Sequence, residues 1–111
     1  PCWLTTENGP MIAMPYNLEL NDSVVYAVEK HSSPEMLRRV EETVKIFEAE
    51  IAETGEPRIL TLPMHPHLSG VPHRAGYVAR ILDLLQGRDD TVFMTGGQIA
   101  DWFVAEDAKT P

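Results

Sequence analysis

The chain has 111 residues and a formal net charge of −8 at pH 7. Its length fits a single small domain, residues 1–111, or a fragment of a larger one. The acidic balance disfavours a nucleic-acid binder and adhesion to an anionic membrane, because both need a basic face. The apolar runs are too short to cross a bilayer. Cys2 is the only cysteine, which excludes an intrachain disulfide and is typical of a reducing compartment such as the cytoplasm.

The first part of the chain predicts short strands separated by turns. Residues 3–6 and 11–14 are apolar runs on either side of Asn8-Gly9-Pro10, so each is predicted to form a strand. Residues 16–22 are polar and irregular. Residues 24–28 are compatible with a short helix or with a strand, and the sequence does not decide between them.

A helix over residues 33–55 is the clearest predicted element. Ser33 fits an N-cap, Pro34 fits the first turn, and Gly55 followed by Pro57 ends the helix. Its apolar residues recur every three or four positions on one face, which predicts packing against a core. They are Met36 or Leu37, Val40, Val44, Phe47 and Ile51.

Helices and strands alternate in the rest of the chain. Residues 58–64 and 91–95 are predicted strands, residues 73–86 and 98–105 are predicted helices, and residues 106–111 are a predicted frayed tail. The run over 58–64 is almost continuously apolar, which is typical of a strand buried on both faces of a parallel sheet. This order predicts βα units and therefore an α/β fold.

Three of the four histidines lie between residues 65 and 73. His65 and His67 follow the predicted strand, where α/β folds place functional side chains. A histidine there can serve as general acid or base near neutral pH. The alternative is a histidine that only hydrogen-bonds a loop backbone. Two histidines alone are a weak zinc signal, because zinc needs further ligands.

Two charged residues each allow two interpretations. Asp22 can cap a helix that begins at Ser23, or it can face a pocket. Arg74 can bind a substrate carboxylate or phosphate through its planar fork, or it can pair with an acid on a helix surface. The sequence leaves both pairs of alternatives open.

The motifs around these residues resemble those of a known family. The segment LPMHPHLSGVPHR, followed by a helix and by VFMTGGQIADWF, is similar to the C-terminal part of polysaccharide deacetylases. The likeness is greatest for the branch that includes peptidoglycan-deacetylase-like and allantoinase-like proteins, and PYNLELNDS upstream resembles the same branch. The resemblance covers residues 10–102. It implies a partial (β/α) barrel, made of the C-terminal βα units of a seven-stranded deacetylase-type barrel.

The resemblance also implies an activity and a set of site residues. The family hydrolyses non-peptide C–N bonds, with an N-acetylated sugar or a small amide as substrate. His65 matches the late-strand histidine that protonates the leaving amine. His67 and Arg74 match positions that line the same mouth, and Asn21 and Asp22 match a polar pair that faces the site.

This sequence differs from the family in the residues that form the family's metal site. Many members hold a divalent, zinc-like metal with one aspartate and two histidines. The aspartate-rich strand motif and the histidine pair four residues apart are missing from this sequence. We therefore expect no metal ligand within this chain, and we expect activity to belong to a longer enzyme of which it is the C-terminal portion.

Two alternatives remain open. The chain can be a catalytically incomplete assembly module that forms homo-oligomers, or that associates with a separate N-terminal segment, through open sheet edges. It can also be a stand-alone metal binder through His65 and His67.

Overall fold

The computed structural model describes residues 1–109, which form two compact units. One unit comprises residues 16–89, and the other comprises residues 1–15 and the chain from residue 90 onward. No helix in the described range is long and apolar enough to cross a membrane.

The unit of residues 16–89 is helical. A π-helix spans Ser23–Val28, α1 spans Glu35–Thr54, α2 is a single turn over Pro66–Ser69, and α3 spans Pro72–Gln86. α1 ends at Gly55, whose φ of 72° is left-handed and suits glycine. The predicted bounds of α1 and α3 are therefore correct to within two residues.

The first turn of α1 differs from the prediction. The helix begins after Pro34, and no side chain caps its N-terminus, so Ser33 is not the N-cap. The Ser33 carbonyl instead accepts a hydrogen bond of 2.8 Å from the Tyr26 hydroxyl. This contact involves the backbone of Ser33, and the Ser33 side chain makes no capping hydrogen bond.

The core of this unit is one cluster of buried apolar side chains. The predicted face of α1 is buried over its first three turns, whereas Ile51 near the end of the helix is 39% exposed. α3 contributes Ile81 and Leu85, and the π-helix contributes Val25 and Tyr26. The remaining members are Leu20, Met36, Leu37, Val40 and Val44.

The predicted partial (β/α) barrel is wrong. Residues 58–64 and 91–95 form neither helix nor strand, and the sheet within residues 1–109 is a single antiparallel pair. An apolar run indicates that its side chains are buried, but it does not show whether its backbone pairs with another strand. Leu60, Leu62 and Met64 satisfy that pattern by packing against the helical core, without joining a sheet.

The second unit contains a hairpin and a helix. β1 spans Cys2–Thr6 and β2 spans Gly9–Ala13, and Thr6 pairs with Gly9 beside the turn. α4 spans Gly96–Asp107 and begins with a capping box, in which Thr95 and Gln98 bond each other's backbone N–H. α4 therefore includes the first two residues of the predicted frayed tail. Residues 110–111 of that tail lie outside the described residues.

Gly70 closes the turn of α2 by donating its backbone N–H to the Pro66 carbonyl. A Cβ at this position would lie 2.5 Å from the Pro66 carbonyl oxygen, closer than non-bonded heavy atoms come. Because both groups belong to the backbone of one turn, Gly70→Ala must open that turn. We expect the free energy of unfolding in urea to fall by about 1–3 kcal/mol.

Gly76 in α3 provides the matched control. A Cβ there meets nothing within 4 Å. We expect Gly76→Ala to be neutral or to stabilise the chain by up to about 1 kcal/mol, since alanine is the better helix former. Equal losses in the two variants would contradict the close contact at Gly70.

Candidate functional site

Asp22 is a fully buried acid in the unit of residues 16–89, with a side-chain exposure of 0%. It lies directly before the π-helix, and its own backbone N–H donates to the Pro63 carbonyl at 3.2 Å. A buried carboxylate without partners costs several kcal/mol. The partners of Asp22 therefore decide which segments can surround it.

Three donors converge on the Asp22 carboxylate. The backbone N–H of His65 and the hydroxyl of Ser69 each donate to Oδ2 at 2.7 Å. The Nδ1 atom of His65 lies 2.6 Å from Oδ1. All three donors come from the short stretch that contains α2, because this single turn brings residues 65 and 69 to the same side.

The charge state of Asp22 follows from these contacts. Burial raises the pKa of Asp22, but the hydrogen bonds from His65 and Ser69, together with attraction to His65, lower it more. The net result is a pKa below the ordinary value of an aspartate, so Asp22 is ionised at neutral pH. An ionised carboxylate can only accept hydrogen bonds.

The tautomer of His65 follows in turn. Because Asp22 can only accept, Nδ1 of His65 must carry the proton between them. In the neutral ring, Nε2 then has a free lone pair, and it makes no hydrogen bond within residues 1–109. The His65 side chain is 44% exposed, so an outside molecule can reach it. This arrangement can accept or donate a proton at Nε2.

Ser69 positions the carboxylate and does not act as a nucleophile. In a serine hydrolase the hydroxyl bonds the histidine, which removes its proton. Here the Ser69 hydroxyl donates to Asp22, and the residue is 4% exposed. The sequence prediction missed Ser69. A signal was present, since Pro66 favours the start of a helical turn and residues four apart in such a turn share a face.

The structure excludes one of the two interpretations that the sequence allowed for Asp22, namely that its side chain caps the helix that begins at Ser23. Asp22 occupies the N-cap position of the π-helix, but its side chain makes no capping hydrogen bond. The carboxylate instead binds His65 and Ser69.

Asn21, the neighbouring predicted site residue, has a different environment. Its Oδ1 accepts from the Ser23 backbone N–H at 2.9 Å, and its Nδ2 donates to the Tyr16 hydroxyl at 2.9 Å. Both ends of the Asn21 amide are thus used in the turn that precedes the π-helix. No hydrogen bond joins it to His65 in the described chain.

Asp22 and His65 form a hydrogen-bonded dyad. His67 and Arg74 lie near this dyad in different ways. The His67 ring is exposed and meets the His65 ring edge-on, with 5.7 Å between ring centroids. The guanidinium of Arg74 lies over the Tyr26 ring, and its Nη1 donates to the Leu68 carbonyl at 3.2 Å. His67 is therefore beside the reactive imidazole, whereas Arg74 is held against the core.

A small open pocket adjoins His65, with a volume of about 260 Å³. Its walls are mostly apolar, and α3 contributes Ala75 and Val78. Ligand pockets in proteins usually begin at about 300 Å³, so this one can hold only part of a small molecule. The remaining lining residues are Met64, Pro66, Ser69 and Gly70.

The donor set around His65 does not fit the divalent metal that the family resemblance implies. Within residues 1–109 no three His, Cys, Asp or Glu side chains are grouped so as to hold a metal ion. Nδ1 of His65 is already engaged with Asp22. A zinc site needs at least three protein ligands, and the described residues around His65 do not supply them.

Comparison of the chain with protein-family models, curated proteins and solved structures found no match. The resemblance to polysaccharide deacetylases therefore stays a prediction from the motifs around Asp22 and His65. The hydrogen-bonded cluster of Asp22, His65 and Ser69 does not depend on that resemblance.

The lowered pKa of Asp22 predicts how stability depends on pH. The carboxylate stabilises the fold above its unfolded-state pKa of about 3.9, and this stabilisation is lost as pH falls through the lower folded-state pKa. Asp22→Asn places amide donors where the carboxylate accepts. We expect it to lower the free energy of unfolding at neutral pH by about 2–4 kcal/mol. The loss of stability in acid should also become shallower.

Urea unfolding at a series of pH values measures both effects. Glu42→Gln is the control, because a hydrogen bond from Lys45 lowers the pKa of Glu42 as well. Both side chains of this ion pair are more than half exposed, so Glu42→Gln should leave the stability at neutral pH nearly unchanged. An Asp22→Asn chain with wild-type stability and wild-type acid dependence would contradict the assignment.

Proposed function

We propose that this chain is the C-terminal portion of a hydrolase that acts on non-peptide C–N bonds, with an N-acetylated sugar or a related small amide as substrate. The observation that carries the proposal is the 2.6 Å contact between His65 Nδ1 and Asp22, which leaves Nε2 available. Many reactions need a general acid or base. Among them, the resemblance of the motifs around His65 to polysaccharide deacetylases favours C–N hydrolysis.

In this reaction His65 is the general acid. In amide hydrolysis water adds to the carbonyl carbon, and the C–N bond then breaks and releases a nitrogen that needs a proton. Nε2 of the imidazolium donates that proton. The ionised Asp22 stabilises the imidazolium through the Nδ1–H bond and keeps the ring oriented. The apolar pocket beside His65 is large enough for a compact group of the substrate.

The proposal includes a cytoplasmic location. The thiol of Cys2 is exposed and free. A free thiol of this kind is usual in a reducing compartment, where it stays unoxidised.

His65→Ala in the longer enzyme that contains this chain tests the catalytic assignment. The assay follows release of amine and acetate from acetanilides and from N-acetylglucosamine. We expect turnover to fall by about 100- to 10,000-fold, the usual contribution of a general acid. Folding should be nearly unchanged, because the backbone N–H of residue 65 still donates to Asp22. Circular dichroism checks the fold.

His73→Ala is the matched control, since His73 is exposed at the start of α3. It should keep wild-type turnover. Equal rates in the wild type and the His65→Ala variant would remove His65 from the mechanism. If the longer enzyme that contains this chain hydrolyses none of these amides, the proposed function is wrong.

A second candidate function, a self-associating assembly module, is supported by the surface of the other unit. Within its described residues no apolar side chain is buried, and α4 has no buried residue. Instead Val92 is 78% exposed, Phe93 59% and Met11 55%. Exposed apolar surface and the open edges of a two-stranded hairpin both favour contact with another chain.

Sedimentation velocity at increasing concentration tests this candidate. We expect the wild-type chain to form dimers or larger species, and Phe93→Ser to weaken them. Leu82→Ser is the control, because Leu82 is 41% exposed but lies in the unit of residues 16–89. A chain that stays monomeric at every concentration, or an equal effect of the two substitutions, would exclude association through this surface.

A further inference from the structure

Arg74 differs from the other cations of the chain. The sequence has nine lysines and arginines against 17 acids. Six of the nine form ion pairs with a carboxylate: Arg38, Arg39, Lys45, Arg58, Arg88 and Lys109. Arg74 is part-buried and has no carboxylate partner in the described range, whereas Lys30 and Arg80 are exposed to water. In so acidic a chain, an unpaired arginine below the surface calls for a physical reason.

The contacts of Arg74 leave one edge of its guanidinium unused. Nη1 donates to the Leu68 carbonyl at 3.2 Å. Nε is buried and has no hydrogen-bond partner within residues 1–109, and Nη2 forms no hydrogen bond there either. Nε–H and Nη2–H point in parallel, and together they match the two oxygens of a carboxylate.

The Tyr26 ring supports the guanidinium from one face. The Cζ atom of Arg74 lies 4.1 Å from the centroid of the Tyr26 ring. Tyr26 is 7% exposed, and its hydroxyl donates to the Ser33 carbonyl, so the ring is fixed at its far end. A guanidinium held over an aromatic face loses little freedom when it binds an anion.

The Arg74 guanidinium adjoins the proposed catalytic dyad through α2. Leu68 accepts the hydrogen bond from Arg74, and the next residue, Ser69, donates to Asp22. Tyr26 lies in the π-helix that begins directly after Asp22. A ligand bound at Arg74 therefore lies next to the turn that carries His65.

We propose that Arg74 binds a carboxylate of the substrate, which narrows the substrate class to small amides that carry a carboxylate, such as N-acylated amino acids. This inference rests on the proposed function. The anion supplies the acceptor that Nε lacks, and the guanidinium turns slightly on the Tyr26 ring so that the covered Nε–H can reach it.

Nuclear magnetic resonance of the arginine side chains tests the proposal in the wild-type chain. The probes are N-acetylglycine and its neutral analogue N-acetylglycinamide. We expect N-acetylglycine to shift the Arg74 Nε–H resonance saturably. N-acetylglycinamide should bind at least about tenfold more weakly, as expected for loss of one charge-assisted contact. Equal binding of the two probes, or no saturable shift, would overturn the carboxylate site.

Variants separate a binding role from a structural one. Arg74→Gln should abolish the preference for the carboxylate, and Arg74→Lys should retain it in part. Arg80→Gln is the control, because Arg80 lies on the same helix near the Tyr77 ring and is exposed. An Arg74→Gln chain that keeps the preference would overturn the proposal. If that variant does not fold, the two probes on the wild type and on Arg74→Lys decide the question.

Two further measurements keep this inference distinct from the proposed function. Inorganic phosphate is titrated alongside, and binding of phosphate without N-acetylglycine would exclude the carboxylate substrate class. N-acetylglycine is also titrated into the His65→Ala variant. Binding there, with no hydrolysis by the longer enzyme that contains this chain, would support the anion site and contradict the proposed hydrolase. Amide hydrolysis without a carboxylate preference would remove the anion site alone.

Discussion

The buried charge of Asp22 is the constraint on which the larger unit depends. An ionised carboxylate with no exposure must find donors inside the protein. Asp22 finds them 43 and 47 residues away, at His65 and Ser69. The same contact fixes the start of the π-helix against the turn of α2. Leu20 and Val25, on either side of Asp22 in sequence, are buried in the apolar core. The candidate site and the core are therefore one structure.

This coupling separates the roles of the two members of the dyad. Asp22 carries three hydrogen bonds from groups that would otherwise be unsatisfied, so its removal disturbs both fold and chemistry. The His65 ring contributes only one of them and is almost half exposed. Asp22 therefore contributes more to fold stability than the His65 ring does, and the proposed proton transfer is assigned to that ring.

The sequence predicted local structure well and long-range structure poorly. α1 and α3 followed from apolar spacing and from Gly55, because helical hydrogen bonds join near neighbours. The barrel prediction was wrong because the apolar pattern of residues 58–64 indicates burial only. Whether such a segment pairs as a strand depends on distant parts of the chain. A role in catalysis was predicted for His65 because it follows the predicted strand of residues 58–64. The structure has no strand there. The family resemblance implied that Asp22 faces the site, but it did not predict the hydrogen bond between Asp22 and His65. Ser69 was missed because the helical turn that begins at Pro66 was interpreted as a loop.

The two candidate functions rest on different parts of the chain and do not compete for residues. The Asp22–His65 dyad and Arg74 belong to residues 16–89, which contain the whole buried apolar core of the described chain. The exposed apolar side chains of the association surface, such as Phe93, belong to the unit that has no buried core. Such a unit gains most from contact with another chain, because little of its apolar surface is removed from water within its own fold. Association would therefore stabilise the unit without the dyad, and loss of association would leave the chemistry of His65 intact.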